Sequence, residues 1–314
     1  MTPLQLAQRP TPLQPLRRLS EATGAELWVK RDDLTGLGLS GNKVRKLEFL
    51  LADAVRMGAD TVITCGGLQS NHARATAVAA RQLGLQPVLL LRGEMPEVPD
   101  GNLLLDGLLG AEVHLCTPEQ YREARGERME ALAADVRSRG GRPYVVPEGG
   151  SNGLGAMGFV RAAHEVAWQA PEGFDAVVVA VGSGGTLAGL ALGADLGQVI
   201  GVSVCDDRRY FVAVVERIAE EAAAFGARAL PPAGQGWDVL DGYQGPAYAV
   251  ATPEIWSTIR TVARTEGLLL DPVYTGKAFH ALLSEVEAGR LGGRVLFWHT
   301  GGAFGLFGRG RELT

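Results

Sequence analysis

The pattern of hydrophobic and polar positions changes period repeatedly along the chain. From Lys43 to position 55 the apolar residues recur at helical spacing, and Gly58 then predicts the end of a helix. Short apolar runs that follow predict strands, separated by amphipathic stretches that predict helices. The predicted strands lie at residues 61–65, 87–91, 112–116, 143–146, 175–181 and 199–205. This alternation predicts an α/β fold with open parallel sheets flanked by helices.

Length and composition add a prediction of domain organisation. The chain has 314 residues, of which 46% are hydrophobic and 21% are charged, and this is typical of a globular protein with ample core. The chain contains 43 glycines, so many tight turns are expected. We predict a smaller α/β domain at residues 45–155, inserted into a larger domain made of residues 1–44 and 156–314.

Charge and cysteine content argue against several classes of partner. The net charge is −5 without a long basic run, which argues against nucleic acid as a partner. The 3 cysteines and 5 histidines lack metal-ligand spacing, so no metal site is predicted. Scattered cysteines and the absence of a signal-peptide pattern predict a cytoplasmic protein with reduced thiols, and no apolar stretch is long enough to span a membrane.

The segment Ser40-Gly41-Asn42-Lys43-Val44-Arg45-Lys46-Leu47-Glu48 offers the first candidate for chemistry. Lys43 lies at the start of the predicted helix, where the positive end of the backbone dipole disfavours an ammonium group. Burial would disfavour it further, and a neutral lysine amine can form a Schiff base. The alternative is an ordinary solvated lysine at a helix start.

A second candidate is the turn Cys65-Gly66-Gly67-Leu68-Gln69-Ser70-Asn71-His72, which follows a strand and opens a helix. A hydroxyl, an amide and free backbone N–H groups converge at such a helix N-terminus. Ser70 or Asn71 could instead be a simple helix cap. Three polar residues in succession exceed what a cap requires, so binding and capping both remain open.

The third candidate is the loop after the most apolar predicted strand, which we call the 182–186 loop. It consists of Gly182, Ser183, Gly184, Gly185 and Thr186. Glycines allow a concave nest of N–H groups, and the following helix dipole favours an anion. The loop lacks the lysine of a nucleoside-triphosphate site and the spacing of a dinucleotide fingerprint, so it predicts a phosphate of another kind, with a plain tight turn as the alternative.

Two further motifs place polar residues at the ends of predicted elements. Asp271-Pro272-Val273-Tyr274-Thr275-Gly276-Lys277 precedes a helix, and Phe297-Trp298-His299-Thr300-Gly301-Gly302 ends an apolar strand. Ligands bind at such ends in open α/β sheets, although either motif alone could be an ordinary cap or turn.

Together the five motifs, in this order, resemble the fold type II (tryptophan synthase β-like) pyridoxal-phosphate enzymes. Within that group the chain is similar to the branch of 1-aminocyclopropane-1-carboxylate (ACC) deaminase and D-cysteine desulfhydrase. The resemblance runs from Pro12-Leu13 to Gly301-Gly302. A reactive lysine and a separate phosphate cup are the two sites that pyridoxal 5′-phosphate requires.

For the cofactor, the resemblance implies that Lys43 is the Schiff-base lysine and that Lys46, one turn later, reaches the phosphate. Asn71 would bond the ring 3′-oxygen, and Thr300 would face the pyridine nitrogen. The five residues of the 182–186 loop would cradle the phosphate. The resemblance also implies a homodimer.

For the substrate, the resemblance implies that Ser70, Asn71 and His72 meet the carboxylate of a small amino acid. Tyr248, Tyr274 and Thr275 would lie near the substrate. Lys43 or Ser70 would remove the α-proton, and the two alternatives remain open.

Two positions bear on which reaction of the branch applies. ACC deaminases similar to this chain carry glutamate at the position of Thr275 and leucine at that of Thr300, whereas both threonines match the D-cysteine desulfhydrase pattern. A carboxylate beside the pyridine nitrogen deepens the electron sink, and a hydroxyl is a weaker partner that suffices for a good leaving group. The resemblance therefore implies conversion of D-cysteine to pyruvate, ammonia and hydrogen sulfide.

The alternatives are an ACC deaminase that gives 2-oxobutyrate and ammonia, and a lyase for another β-substituted amino acid such as cysteate. A protein that binds the cofactor as a carrier or sensor is a third. The preference for a D-amino acid depends on the resemblance alone.

Overall fold

The computed structural model describes residues 2–313, and its strands form two separate sheets. In chain order the strands are β1 (Leu13–Pro15), β2 (Glu26–Arg31), β3 (Thr61–Gly67), β4 (Gln86–Arg92), β5 (Glu112–Cys116), β6 (Pro143–Val145), β7 (Ala176–Val181), β8 (Gln198–Ser203), β9 (Trp237–Leu240) and β10 (Arg294–His299). The larger sheet has the order β1-β2-β10-β7-β8-β9, and the smaller has the order β5-β4-β3-β6. Apart from the antiparallel pair β1–β2, neighbouring strands in both sheets are parallel.

Helices connect these strands and cover the sheets. They are α1 (Arg17–Thr23), α2 (Lys43–Arg56), α3 (Asn71–Gln82), α4 (Gly101–Leu108), α5 (Pro118–Ser138), α6 (Gly153–Gln169), α7 (Gly185–Leu192), α8 (Arg208–Ala223), α9 (Pro253–Glu266), α10 (Thr275–Glu287), α11 (Ala303–Phe307) and α12 (Gly310–Leu313). No helix within residues 2–313 is both long and apolar enough to cross a membrane.

The predicted α/β class with parallel sheets is confirmed, and the predicted strands between residues 60 and 205 are all present. As the prediction of more than one sheet requires, these strands divide between two sheets, with β3–β6 in one and β7 and β8 in the other. The smaller sheet falls within the range 45–155 that we assigned to a smaller domain. The domain boundaries themselves remain a prediction.

Strand β7 shows why the most apolar run predicted a buried parallel strand. Val177 and Val179 pack into one hydrophobic cluster with Phe159 of α6. Val178, which points to the other face, packs into a second cluster with Phe279 of α10. Because helices cover both faces of the larger sheet, every position of this strand is apolar.

A buried ionic network fixes the first turn of α2. Arg45 Nη2 lies 2.7 Å from Asp32 Oδ1 and 3.0 Å from Glu165 Oε1 of α6. The indole Nε1 of Trp298, in β10, donates to Asp32 Oδ2 at 2.8 Å. Buried charges are tolerated when they are paired and fully hydrogen-bonded. The network therefore holds the start of α2 against the larger sheet, next to the carboxyl end of β10.

The carboxyl ends of the parallel strands in both sheets open into one cavity. Gly66 and Gly67 end β3, Gly182 follows β7, and Thr300 follows β10, and all four line this cavity. Ligand sites of open α/β sheets are found at this edge.

Candidate active site

The cavity has a volume of about 560 Å³ and brings together most of the residues that the sequence predicted. The predicted residues that line it are Lys43, Ser70, Asn71, His72, Gly182, Ser183, Gly184, Thr186, Tyr248, Tyr274 and Thr300. Lys46, Gly185 and Thr275 do not line it. The cavity has two walls of different construction.

The first wall, which we call the glycine wall, consists of Lys43, the 182–186 loop and Thr300. Lys43 is the first residue of α2 and follows Gly41, whose φ is 111°. A Cβ at Gly41 would lie only 2.7 Å from the carbonyl oxygen of Thr300, so this close approach requires glycine. Desolvation lowers the pKa of Lys43 to about 8, and the negative charge of Glu148 partly opposes that shift. At neutral pH about a tenth of such a lysine is the neutral amine that a Schiff base needs.

The 182–186 loop has the geometry of an anion cradle. Gly184 adopts a φ of 80°, and a Cβ there would lie 2.6 Å from Val214 Cγ1. The loop then enters α7, whose first backbone N–H groups have no partners within the helix and carry the positive end of its dipole. This arrangement fits a phosphate group.

Asn42, the residue before Lys43, forms hydrogen bonds that connect the start of α2 to the phosphate cradle. Its Nδ2 donates to Thr186 Oγ1 at 2.9 Å, and its backbone N–H donates to the carbonyl of Thr300 at 3.1 Å. A reactive amine, a phosphate cradle and a hydroxyl are therefore held side by side in one cavity. The residues fit pyridoxal phosphate, which needs an amine for its aldehyde and an anion site for its phosphate.

Lys46 and Gly185 lie behind this cradle. Lys46 Nζ donates to the carbonyl of Gly149 at 3.1 Å and to Ser151 Oγ at 3.0 Å. Ser151 Oγ in turn lies 2.8 Å from Ser183 Oγ and accepts from Gly185 N at 3.3 Å. Burial, together with the nearby ammonium of Lys43, holds the pKa of Lys46 well below its usual value. Lys46 supports the cradle through Ser151, and its direct contact with the phosphate remains a prediction.

Ser70 caps helix α3, Asn71 is the first residue of that helix, and both line the cavity. Ser70 Oγ accepts from the backbone N–H of Ala73 at 3.1 Å, which leaves its hydrogen free to donate. Asn71 Oδ1 accepts from Asn102 Nδ2 at 3.0 Å. Asn102 therefore fixes the orientation of the Asn71 amide, and the Asn71 NH₂ group is left as the donor for a ligand.

His72 is a buried neutral imidazole whose tautomer follows from its neighbours. Thr64 Oγ1 donates its only hydrogen to the carbonyl of Val146 at 2.9 Å, so it can only accept from His72 Nε2, 2.9 Å away. Nδ1 then carries a lone pair and has no hydrogen-bond partner among the described residues. Burial and the ammonium groups of Lys43 and Lys46 hold the pKa of His72 well below its usual value. Any donation from His72 to a carboxylate therefore comes from its backbone N–H in the first turn of α3.

Tyr248 and Tyr274 form a hydroxyl pair in the cavity, with their oxygens 2.5 Å apart. Burial, together with Tyr248, holds the pKa of Tyr274 well above its usual value, so it keeps its proton. Thr275 is fully buried, and its Oγ1 donates to Asp271 Oδ1 at 2.7 Å and accepts from the Asp271 backbone N–H at 2.7 Å. The Thr275 hydroxyl therefore has no hydrogen left to donate to a ligand. Thr300, in contrast, lines the cavity. The predicted substrate contact of Thr275 remains a prediction.

The second wall, which we call the arginine wall, was missed by sequence reasoning. It consists of Arg92 at the end of β4, Tyr121 and Arg125 of α5, and Glu148. Glu148 Oε1 accepts from the Tyr121 hydroxyl at 2.6 Å, and Glu148 Oε2 accepts from Arg125 Nη1 at 2.6 Å. Only two features of the sequence could have indicated this wall. Arg92 ends an apolar run, and Glu148 opens the glycine-rich segment Glu148-Gly149-Gly150.

Comparisons with known proteins agree over nearly the whole chain. A family model described as "Pyridoxal-phosphate dependent enzyme" matches residues 4–301. A Thermotoga maritima protein with the provisional name 1-aminocyclopropane-1-carboxylate deaminase is 48% identical over 318 residues, which cover 99% of each chain. An Arabidopsis thaliana protein named bifunctional D-cysteine desulfhydrase/1-aminocyclopropane-1-carboxylate deaminase, mitochondrial, is 43% identical over 330 residues, covering 98% of this chain and 80% of that one. A crystal structure described as an ACC deaminase homologue superposes with a TM-score of 0.92 at 41% identity, covering 100% of this chain and 95% of that one.

Proposed function

This chain belongs to the pyridoxal-phosphate-dependent enzyme family, and we propose that its reaction is the α,β-elimination of D-cysteine. Water and D-cysteine are consumed, and pyruvate, ammonia and hydrogen sulfide are formed. The observation that carries this proposal is the glycine wall, in which Lys43, the phosphate cradle and the Thr300 hydroxyl lie side by side.

Each group of the glycine wall has a part in holding the cofactor. Lys43 is the amine that would hold the aldehyde, and the backbone N–H groups of the 182–186 loop would bind the phosphate. The Asn71 NH₂ group, oriented by Asn102, would donate to the ring oxygen. Thr300 would offer a neutral hydroxyl to the ring nitrogen. When bound, pyridoxal phosphate supplies an electron sink for the substrate α-carbon.

The chain's own residues move the protons and orient the substrate. The substrate carboxylate binds at the start of α3, where the N–H groups of Asn71 and His72 are free and Ser70 adds a hydroxyl. The neutral Lys43 amine removes the α-proton, because a pKa near 8 leaves it able to accept one, and Ser70 is the rival base. The bond between the β-carbon and sulfur then breaks, and its electron pair leaves with sulfur. Tyr248 and Tyr274 keep their protons, and because one hydroxyl donates to the other, the pair has one O–H left to donate beside the substrate.

Thr300 supports elimination of a thiolate over the opening of a cyclopropane ring. A thiolate is a good leaving group and needs only a moderate electron sink, which a neutral hydroxyl at the ring nitrogen permits. The second candidate, ACC deamination, is favoured by the names of the similar proteins, one of which carries both activities in its name. These names are the reason to test both substrates.

The test begins with the visible absorbance of the purified protein loaded with pyridoxal phosphate. D-cysteine, L-cysteine, D-cysteate and ACC are then added separately, and pyruvate, 2-oxobutyrate and sulfide are measured. We expect pyruvate and sulfide from D-cysteine, with at least about tenfold lower activity on L-cysteine. Production of 2-oxobutyrate from ACC without sulfide from D-cysteine would establish the deaminase instead. Cofactor binding without any turnover would favour a carrier or sensor.

We also propose that the enzyme is a cytoplasmic homodimer whose smaller domain comprises residues 45–155. The scattered cysteines support the compartment, and the family resemblance supports the dimer. Light scattering of the cofactor-loaded protein should give about twice the monomer mass of 33.1 kDa.

A further inference from the structure

One cation of the arginine wall is not neutralised by a carboxylate. Four cationic side chains line the cavity: Lys43, Arg92, Arg122 and Arg125. Arg122 pairs with Glu123 at 3.2 Å, and Arg125 pairs with Glu148 at 2.6 Å. Among the residues that the structure describes, no carboxylate oxygen lies within 4.0 Å of the Arg92 guanidinium, and no guanidinium N–H of Arg92 has a hydrogen-bond acceptor. Because Lys43 is reserved for the cofactor, Arg92 is the cation left for another anion.

Arg92 is held in place by aromatic rings instead of by an ion pair. Its guanidinium carbon lies 5.1 Å from the ring centroid of Tyr121 and 5.2 Å from that of Tyr248. A guanidinium over an aromatic ring is held by the charge distribution of the ring and does not need an N–H acceptor on it. The two rings therefore position Arg92 and leave its N–H groups available to an anion.

The position of Arg92 relates it to the substrate end of the cavity. Arg92 is the register partner of Gly67 in the pair β3–β4, and a Cβ at Gly67 would lie 3.9 Å from Arg92 Nη2. The carbonyl of Gly67 accepts from the backbone N–H of Ser70 at 3.0 Å. Arg92 thus adjoins the turn that opens α3, where the substrate carboxylate is proposed to bind.

We propose that Arg92 determines specificity by binding a negatively charged β-substituent of the substrate amino acid. The inference depends on the proposed function, because elimination expels this substituent. A sulfonate or another anionic group would be bound in the ground state. With cysteine, Arg92 stabilises the charge that develops on sulfur as the bond to the β-carbon breaks and the electron pair moves to sulfur. The sulfur then takes a proton and leaves as hydrogen sulfide.

The first test measures binding before turnover, in the rapid phase that follows mixing in a stopped-flow instrument. D-cysteate and D-alanine differ only at the β-substituent, and binding of each is measured from the absorbance change of the bound cofactor. The ratio of their dissociation constants isolates the contribution of the anionic group. We expect D-cysteate to bind at least about tenfold more tightly than D-alanine, and Arg92→Gln to remove most of that preference.

The variants separate recognition from structure. Arg92→Lys keeps the charge and should restore part of the preference, whereas Arg122→Gln, the matched control at another cavity arginine, should leave it unchanged. Arg92→Met keeps the apolar stem between the rings and decides the question if Arg92→Gln does not fold. An unchanged ratio in Arg92→Gln or Arg92→Met, with normal cofactor absorbance, would overturn the proposal.

The second test compares leaving groups in turnover. Chloride is a weak base that leaves without help, so β-chloro-D-alanine should be insensitive to Arg92→Gln within about twofold, whereas kcat/KM for D-cysteine should fall about tenfold. Equal losses with both substrates would contradict a role at the leaving group. A wild-type enzyme that prefers D-cysteate in binding yet does not turn over D-cysteine would refute the proposed function and leave the role of Arg92 in recognition intact.

Discussion

The two walls of the cavity differ in the parts from which they are made. The glycine wall presents backbone N–H groups, one amine and short hydroxyl side chains, and glycines such as Gly41 and Gly184 permit its close approaches. The arginine wall presents long charged and aromatic side chains that are fixed by one another, as in the contacts of Glu148 with Tyr121 and Arg125. A wall of backbone suits a constant ligand such as a cofactor. A wall of side chains can be altered by single substitutions, and so it suits the recognition of a particular substrate.

The sharpest test of this division is Lys43→Ala, which removes the only side chain of the glycine wall that is assigned to covalent chemistry. We expect cofactor absorbance typical of a lysine-bound aldehyde to disappear and turnover to fall by at least about 10³-fold, the usual scale for loss of a catalytic base. Absorbance spectra and kcat measure this. Lys43→Arg, which keeps a cation and cannot replace the amine chemically, should behave in the same way. Elimination near the wild-type rate in Lys43→Ala would break the assignment.

A smaller effect is expected from Asn42→Ala, which cuts the link between Lys43 and the cradle. The buried bond from Asn42 Nδ2 to Thr186 Oγ1 is lost, at a cost of about 1–3 kcal/mol. The affinity for pyridoxal phosphate should fall about tenfold, measured by absorbance titration of the apoprotein.

The control for this variant is Ser20→Ala, which removes a hydroxyl that bonds the carbonyl of Leu16 at 2.7 Å in α1, away from the cavity. It should lower thermal stability without changing cofactor affinity. If both variants bound the cofactor as tightly as the wild type, the two parts of the glycine wall would not depend on Asn42.

The smallest effect is expected from Glu148→Gln, which tests whether the charge of the arginine wall changes the pKa of Lys43 in the glycine wall. Glu148 raises the pKa of Lys43, so Glu148→Gln should lower it further from its value of about 8. The amine is active in its neutral form, and the pH midpoint of cofactor capture should therefore move to lower pH, by less than about one unit because both groups adjoin water. Stopped-flow absorbance across pH 6–9 measures the midpoint.

Asp206→Asn is the matched control, since Asp206 also lines the cavity and does not contribute to the shift at Lys43. A midpoint that moves to higher pH in Glu148→Gln, or one that matches the control, would show that the two walls are electrostatically independent.

The glycine wall was predictable because its parts are local features of the chain. A glycine loop between a strand and a helix produces an anion cradle by its own backbone angles, whatever surrounds it. A lysine at the first turn of a helix experiences the dipole of that helix. The periodicity that located β7 and α2 therefore located the 182–186 loop and Lys43 as well.

The hydrogen-bond partners of Lys46 and Thr275 could not be predicted from the local sequence. Both follow a predicted motif residue closely in sequence, but the structure commits Lys46 to Ser151 and Thr275 to Asp271. Spacing along a helix indicates a face, whereas the partner that meets that face depends on which elements pack against it. For the same reason, the tautomer of His72 required the position of Thr64.

From its sequence alone, this protein could be assigned an α/β fold with parallel strands, a candidate reactive lysine and a candidate phosphate cradle. Only the tertiary structure decided that both sheets end at one cavity, and that Arg92 stands there between Tyr121 and Tyr248. Backbone angles and helix dipoles are set within a few residues. Contacts between long side chains depend instead on the packing of elements that are far apart in the chain, and no local pattern encodes that packing.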